Sequence, residues 1–199
     1  MTKRPAVGCL IEIVETLALT LVIFFVIQTF VAQPYKVQQR SMERTLEPEQ
    51  YVLVDKVTPR FDAYDRGDIV VFNPPASWAQ ADGTPFIKRV IGEGGDTIKI
   101  QDGKVFVNGT AITEDYVFAD VPGGPPQETF VAADQSSWVI PQDELFLMGD
   151  HRSDSADSRV FGPVEIDQVI GRAWLRYWPI NTFGILPTPT YPELEPDTP

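Results

Sequence analysis

The apolar positions of the chain change their pattern near residue 33. Before that point, residues 10–32 form an apolar run of 23 residues without Lys, Arg or Asp. As a helix rising about 1.5 Å per residue, the run would span roughly 35 Å, enough to cross a bilayer. Glu12 and Glu15 lie near its start, where they would reach the headgroups, and Gln33-Pro34 ends it. We therefore predict a transmembrane anchor over residues 10–32, preceded by a short cytoplasmic N terminus of residues 1–9.

Two other interpretations of this run are a cleaved signal peptide and a buried helix of a soluble domain. The run is longer than the usual signal-peptide core of about 7–15 residues, and Phe30-Val31-Ala32 is a poor cleavage site. Both features favour an uncleaved anchor. Lys3 and Arg4 favour a cytoplasmic N terminus, but only weakly, because three basic residues follow the run within twelve positions.

After residue 35 the pattern changes to short β-branched runs separated by turns. Residues 97–101 and 104–107 alternate apolar and polar positions around Asp102-Gly103, which predicts a hairpin, and Asn108-Gly109 predicts a second tight turn. Further strands are predicted within residues 51–54, 68–72, 87–91, 137–148 and 171–178. The predicted fold class is mainly β: an N-terminal transmembrane helix followed by an antiparallel β-sheet domain over residues 33–186.

The last thirteen residues have a different composition. Residues 187–199 contain five prolines and three acidic residues, which predicts a disordered, acidic tail.

Charge and cysteine content exclude some classes of function. The chain has 16 Lys and Arg against 28 Asp and Glu, a formal net charge of -12, which argues against nucleic-acid binding. Cys9 is the one cysteine, so neither an intramolecular disulfide nor a cysteine-pair zinc site can form.

Ser41 is the candidate nucleophile, in the stretch Ser41-Met42-x-x-Thr45-Leu46 just after the anchor. A serine hydroxyl is a weak nucleophile and needs a base. His151 is the only histidine, and its neighbour Asp150 would point to the opposite face of a strand, although an acid elsewhere could orient the ring. A histidine triad therefore remains an alternative.

Lys88 is the other candidate base. It shares one strand face with Phe86 and Val90, whereas Arg89 shares the other with Ile87 and Ile91, so one of the two cations must point into an apolar face. Burial disfavours the ammonium form and lowers the pKa of a lysine enough for it to accept a proton. The alternative is an edge strand on which both side chains extend to solvent.

Residues 149–159 form a third, densely polar stretch. It can be interpreted as a structural turn held by Asp–Arg pairs. A calcium loop is a weaker alternative, because the glycine and terminal glutamate of such a loop are missing.

Together these stretches resemble the type I signal peptidase family (leader peptidases). The resemblance covers the chain from the anchor to about Trp178 and is carried by four motifs in family order: Ser41-Met42-x-x-Thr45-Leu46, residues 66–72, Lys88-Arg89-Val90-Ile91-Gly92 with Gly95-Asp96, and Gly149-Asp150-x-Arg152-x-x-Ser155-x-Asp157-Ser158-Arg159. Each motif alone is weak, and the last is the most specific.

The resemblance implies a Ser-Lys dyad endopeptidase that removes signal peptides from exported preproteins. Ser41 would attack the scissile carbonyl and Lys88 would be the general base. Ser155 would hydrogen-bond to the lysine and orient it, and Asp157 and Arg159 would form a supporting salt bridge. The Ser41 backbone N–H would form part of the oxyanion hole.

The same resemblance implies a cellular setting. The protein would be a single-pass protein of the plasma membrane with its catalytic domain on the extracytoplasmic side. Its partners would be signal peptides, the lipid bilayer and the secretion translocon, without nucleic acid. No metal or cofactor would be needed.

Three positions depart from the family pattern. Arg44 replaces a proline, which is expected to loosen the turn; His151 replaces an asparagine; and Gln39 replaces a small hydroxyl residue, for which its amide could substitute as an oxyanion donor. Two other functions stay open: a catalytically silent membrane-anchored β-domain that binds exported chains or a secretion partner, and a self-cleaving repressor-type protease, which the anchor disfavours.

Overall fold

The N-terminal helix continues directly into a β-strand. In the computed structural model, which describes residues 5–78, 83–131 and 135–195, helix α1 covers Pro5–Val26 and a π-helical turn covers Ile27–Val31. Strand β1 follows at once over Ala32–Lys36. The segment Gly8–Val31 is long and apolar enough to cross a membrane, and none of it is buried by the protein. The helical segment therefore ends at Val31, one residue before the predicted end of the anchor.

The rest of the described chain forms two antiparallel sheets. The strands after β1 are β2 Tyr51–Asp55, β3 Ile69–Phe72, β4 Phe86–Gly92, β5 Thr97–Gln101, β6 Lys104–Val107, β7 Thr110–Ala111, β8 Ser137–Val139, β9 Glu144–Met148, β10 Val164–Glu165, β11 Val169–Trp178 and β12 Gly184–Ile185. The larger sheet has the order β1-β2-β11-β3-β4-β9-β10, with β12 added on β11, and the smaller has the order β7-β6-β5-β8. A four-residue helix, α2, covers Ser158–Phe161. The predicted fold class, mainly antiparallel β after one apolar helix, is confirmed.

The predicted hairpin is present as β5 and β6. Asp102 and Gly103 adopt the positive φ values of 50° and 74° that its two-residue turn requires, and Asn108 and Gly109 form the second predicted turn with φ values of 52° and 87°. The strand region predicted over residues 137–148 divides into β8 and β9, which belong to different sheets.

Strand β3 is buried on both faces, which explains its continuous apolar sequence. Ile69 and Val71 pack into one apolar cluster together with Met42 and Leu46 of the loop between β1 and β2. The alternate residues of β3 pack into a second cluster on the opposite face of the sheet. Because β4 pairs with β3 along Phe86–Arg89, it lies in the interior of the sheet.

The predicted disorder of the tail is wrong for residues 187–195. Tyr191 is 8% exposed, and Leu194 packs beside it on the core of the smaller sheet. The Tyr191 hydroxyl lies 3.0 Å from the Tyr116 hydroxyl, and the Glu193 carboxylate accepts a 2.5 Å hydrogen bond from the Thr113 N–H. These contacts dock the segment on the rest of the domain, and its prolines limit the entropy lost on ordering. Residues 196–199 of the predicted tail lie outside the described residues.

We predict that Tyr191→Ala lowers the free energy of unfolding by about 3–5 kcal/mol, since it removes a large buried aromatic side chain. Tyr191→Phe keeps the ring and loses only the hydroxyl contact, so it should cost about 1 kcal/mol. Urea unfolding of the full chain in detergent measures both. A Tyr191→Ala variant as stable as the wild type would restore the interpretation of a disordered tail.

Candidate active site

Ser41 lies in a tight turn between β1 and β2. The Glu43 N–H donates to the Arg40 carbonyl at 2.9 Å and the Leu46 N–H to the Met42 carbonyl at 2.7 Å, which closes the turn on both sides of residue 43. Met42 and Leu46 are fully buried in the apolar cluster under the sheet. These two side chains fix the turn to the core, and Ser41 itself is 3% exposed.

Lys88 on β4 reaches the Ser41 side chain. Its Nζ lies 2.6 Å from Ser41 Oγ and 3.1 Å from the Ile87 carbonyl oxygen, and 5.3 Å from the centre of the Phe86 ring. Lys88 is 1% exposed and Arg89 is fully buried. The alternative of an edge strand with both cations in solvent is therefore wrong, because β4 pairs with β3 on one side and β9 on the other.

Burial lowers the pKa of Lys88 from 10.5 to about 8. The charges of Asp157 and Asp150 raise it and the charge of Arg159 lowers it, but loss of hydration is the largest influence. With a pKa near 8, roughly a tenth of the amine is neutral at pH 7. A neutral amine 2.6 Å from a hydroxyl oxygen can accept its proton.

A buried ion pair joins the lysine strand to the serine turn. Arg89 donates to both carboxylate oxygens of Asp150 at 2.9 and 2.7 Å, and to the Thr45 hydroxyl oxygen at 3.2 Å. Thr45 in turn donates to Asp150 at 2.6 Å. Because side chains alternate along β4, Lys88 points toward Ser41 and Arg89 points to the opposite face of the strand. There Arg89 pairs with Asp150, which follows β9.

Asp157 is the centre of the third polar stretch. It forms the predicted ion pair with Arg159, with Nε–Oδ1 at 2.8 Å and Nη2–Oδ2 at 2.9 Å. It also accepts from the Gly149 N–H at 3.0 Å and from the Ser155 hydroxyl at 2.7 Å. Burial raises the pKa of Asp157, but the hydrogen bond and the charge from Arg159 outweigh burial, so the pKa lies below its usual value. The carboxylate is therefore ionised.

Ser155 differs from the expectation in its hydrogen bond. Its one hydroxyl proton goes to Asp157, and the described residues show no hydrogen bond between Ser155 and Lys88. Ser155 does lie close to the nucleophile turn, because a Cβ at Gly149 would come within 2.3 Å of Ser155 Oγ and 2.5 Å of the Ser41 carbonyl oxygen. The absence of a side chain at Gly149 thus allows the segment around Ser155 to approach the Ser41 turn. An effect of Ser155 on the orientation of Lys88 stays a prediction.

The His151 ring points toward Glu43. Its Nδ1 lies 2.9 Å from Glu43 Oε2, and the ring stacks on Phe118 with centroids 4.1 Å apart. Among the described residues the Ser41 hydroxyl is hydrogen-bonded to Lys88. These contacts count against the histidine triad. Two acids of the calcium-loop alternative are likewise paired with arginines, Asp150 with Arg89 and Asp157 with Arg159.

The two other departures from the family pattern lie on either side of Ser41. Arg44 has a φ of 82°, which a proline cannot adopt, and its Nη1 donates to the Val117 carbonyl at 2.6 Å. The turn is thus tied to a distant segment and is not loosened. Gln39 is exposed at the edge of the site, and its part in an oxyanion hole stays a prediction.

Glu43 is a residue of the turn that the sequence motif does not identify, because Ser-Met-x-x-Thr-Leu leaves that position unspecified. Glu43 is only 7% exposed although it is charged. The signal that could have identified it is its spacing: an acidic residue between buried Met42 and Leu46, three residues after Arg40, has a cation within reach of its side chain.

Two neighbouring clefts share Gln39 and Phe86 in their linings. A mostly apolar cavity of about 160 Å³ lies between residues 34–39 and 84–87 and is also lined by Val52 and Val71. A wider cleft is lined by Ser41 itself together with Arg40, Phe86 and residues 153–156. Within the described part of the chain, no group of three or more His, Cys, Asp and Glu side chains is arranged to hold a metal ion.

The chain is similar to known proteins over most of its length. The family profile described as "Signal peptidase, peptidase S26" matches residues 10–178. Signal peptidase I of Leptolyngbya laminosa is 36% identical over 188 residues, which cover 92% of this chain and 87% of that protein. Probable signal peptidase I-2 of Synechocystis sp. is 34% identical over 185 residues, covering 92% and 80%.

A solved structure is also similar in part. A crystal structure of a signal peptidase I from Enterococcus faecalis V583 has a TM-score of 0.44 and 30% identity, and the match covers 56% of this chain and 97% of that chain. The match of the family profile across 169 of the 199 residues, counted from residue 10 to residue 178, decides the assignment. This chain belongs to the signal peptidase family, peptidase S26.

Proposed function

We propose that this protein is a membrane-anchored serine endopeptidase that cleaves N-terminal signal peptides from exported preproteins, with Ser41 as nucleophile and Lys88 as general base. The relatives named signal peptidase I support the reaction. The observation that carries the assignment of residues is the 2.6 Å contact between Lys88 Nζ and Ser41 Oγ, made by a lysine that is 1% exposed.

The first chemical step is acylation of the serine. As Ser41 Oγ attacks the scissile carbonyl carbon, its proton moves to Lys88 Nζ, and the carbonyl oxygen becomes an oxyanion. The Ser41 N–H has no hydrogen-bond acceptor among the described residues and is available as a donor to this oxyanion. The Gln39 amide, two residues earlier, is the second proposed donor.

The second half of the reaction restores the dyad. The Lys88 ammonium gives its proton to the leaving amine, which departs as the N terminus of the mature protein. Water then attacks the acyl-serine while Lys88 takes its proton. The bond between Ser41 Oγ and the acyl carbon breaks as Lys88 returns that proton to Ser41 Oγ, and the signal peptide leaves with a new C-terminal carboxyl group. Asp157 and Arg159 are the proposed supporting ion pair, with Nε–Oδ1 at 2.8 Å.

The substrate is expected to bind as an added strand. In β4 the residues Phe86–Lys88 pair with β3, whereas β9 pairs only from Arg89 onward, so this half of β4 has one side without a partner strand in the described chain. An extended peptide can use that edge. The adjoining cavity of about 160 Å³, lined in part by Phe86 and Ile87, can receive an apolar side chain of the bound peptide.

We also propose that Gly8–Val31 spans the plasma membrane once, with the catalytic domain on the extracytoplasmic side. The length, apolarity and complete lack of burial of this helix support the span. Emerging preproteins would then meet the site close to the bilayer, and the secretion translocon is a further proposed partner.

We predict that Lys88→Met reduces cleavage of a preprotein with an Ala-x-Ala site by about 10²–10⁴-fold, because the isosteric side chain fills the space but cannot take the serine proton. The assay uses purified full-length protein in detergent and identifies the cut bond by mass spectrometry. Ser41→Ala should be equally inactive.

Lys99→Met is the matched control, since Lys99 is an exposed lysine on β5. It should cleave at the wild-type rate. Full activity of Lys88→Met would refute the dyad and make His151 the next base to test. A wild-type protein inert on several preproteins would favour the silent binding domain.

The pKa of Lys88 predicts the pH dependence of the enzyme. Activity requires the neutral amine, so kcat/KM should rise tenfold per pH unit at low pH and level off above a midpoint of about 8. The measurement is kcat/KM from pH 5.5 to 9.5 on a substrate without titratable groups near the cut.

Asp157→Asn tests the sign of this dependence. The negative charge of Asp157 raises the pKa of Lys88, so its removal should lower that pKa and move the midpoint to lower pH. A midpoint that stayed fixed would show that another group controls the profile.

A further inference from the structure

His151 makes two contacts to the turn that carries Ser41. The His151 N–H donates to the Ser41 carbonyl oxygen at 3.0 Å, and the His151 ring nitrogen Nδ1 contacts Glu43 Oε2 at 2.9 Å. Both acceptors belong to the turn, two residues apart. His151 therefore holds Ser41 directly through the main chain and Glu43 through the side chain.

His151 is itself fixed on its other side. Its ring stacks on Phe118 at an interplanar angle of 23°, and the Phe118 N–H donates to the Asp150 carbonyl at 2.9 Å. Asp150 in turn accepts from Arg89, which is the neighbour of Lys88 on β4. A continuous series of contacts thus connects the strand that carries the lysine to the turn that carries the serine.

Glu43 has a second partner, Arg40, which differs from His151 in exposure. The Arg40 Nε donates to Glu43 Oε1 at 2.6 Å, but the Arg40 side chain is 63% exposed, whereas the side chains of His151 and Glu43 are 9% exposed. An exposed ion pair holds geometry weakly because water competes for both charges. Of the two contacts made by the Glu43 carboxylate, the buried one with His151 is therefore expected to restrain it more.

We propose that Glu43 and His151 form a positioning pair that sets the orientation of the Ser41 peptide toward Lys88 and toward the substrate carbonyl. The proposal rests on the proposed function and assigns two residues that act through Ser41. Neither Glu43 nor His151 lines the cleft that contains Ser41 or the apolar cavity beside it. The pair should therefore affect the chemical step and leave substrate binding unchanged.

The test begins with His151→Leu, which keeps an apolar side chain on Phe118 and removes the donor to Glu43. A shift of the nucleophile by a fraction of an ångström should lower kcat by about 10–100-fold and leave KM within about twofold. His151→Asn places an amide nitrogen close to the position of Nδ1. It should recover most of kcat, although it cannot stack as the ring does.

Glu43→Leu and the double variant Glu43→Leu/His151→Leu complete a cycle. If the two residues act as one unit, the double variant should lose no more kcat than the worse single variant. Losses that multiply would show two independent structural effects and would overturn the pair.

Glu114→Gln is the matched control for general loss of stability. Glu114 pairs with Arg152, the residue after His151, at 2.5 Å, and makes no hydrogen bond to the nucleophile turn in the described chain. It should lower the midpoint of unfolding while kcat stays within about twofold of the wild type.

Amide hydrogen exchange of the full chain in detergent provides a readout that needs no turnover. His151→Leu should speed exchange in peptides covering residues 40–46 while the β5–β6 hairpin stays as protected as in the wild type, and His151→Asn should restore protection. Wild-type protein that cleaves no preprotein would refute the proposed function, and exchange would still decide whether the pair holds the turn. Unchanged exchange, or a rise in KM at constant kcat, would overturn the proposal.

Discussion

The burial of one lysine amine is the constraint on which the rest of the site depends. Lys88 is 1% exposed, and its pKa of about 8 follows mainly from lost hydration. Such a site tolerates an ammonium poorly and would tolerate unpaired neighbouring charges no better. The neighbouring ions are accordingly paired: Arg89 with Asp150, and Arg159 with Asp157. Loss of hydration outweighs the charges of Asp157 and Asp150, which raise the pKa of Lys88, so these pairs do not return the lysine to its ordinary pKa.

The strand pairing of β4 both buries its cationic side chains and leaves an edge open for a substrate. Strand β4 has β3 along its first half and β9 along its second, so Arg89 is enclosed while Phe86–Lys88 keep one side without a partner strand in the described chain. The serine comes from a different part of the sheet, on a turn fixed by Met42 and Leu46 in the core. The packing of apolar residues thus holds the nucleophile at hydrogen-bond distance from the base.

The sequence predicted the features that follow from local pattern. Alternation placed Lys88 on an apolar face, and Asp102-Gly103 located a turn. The 149–159 stretch does contact the Ser41 turn, through the His151 N–H, but the catalytic roles expected for its residues stay predictions. The sequence could not predict features that depend on distant partners. The composition of the tail predicts disorder, whereas in the structure the Tyr191 hydroxyl contacts the Tyr116 hydroxyl. The sequence motif predicts that Ser155 contacts Lys88, whereas in the structure the Ser155 hydroxyl donates to Asp157. Glu43 and His151 are 108 residues apart, and nothing local to either one identifies the other.

The junction between the apolar helix and the sheet has a mechanical consequence. The helical turn ends at Val31 and β1 begins at Ala32, and all five residues of β1 pair in register with β2, from Ala32↔Asp55 to Lys36↔Tyr51. Since no loop separates the two elements, a change in the tilt of the helix relative to the sheet must bend a paired strand. Val37, one residue beyond β1, continues this pairing through two hydrogen bonds with Gln50 and Glu49. The helix is therefore a stiff support whose length and angle are transmitted to the serine turn, and a flexible insertion at residue 31 would remove that coupling without touching any residue of the site.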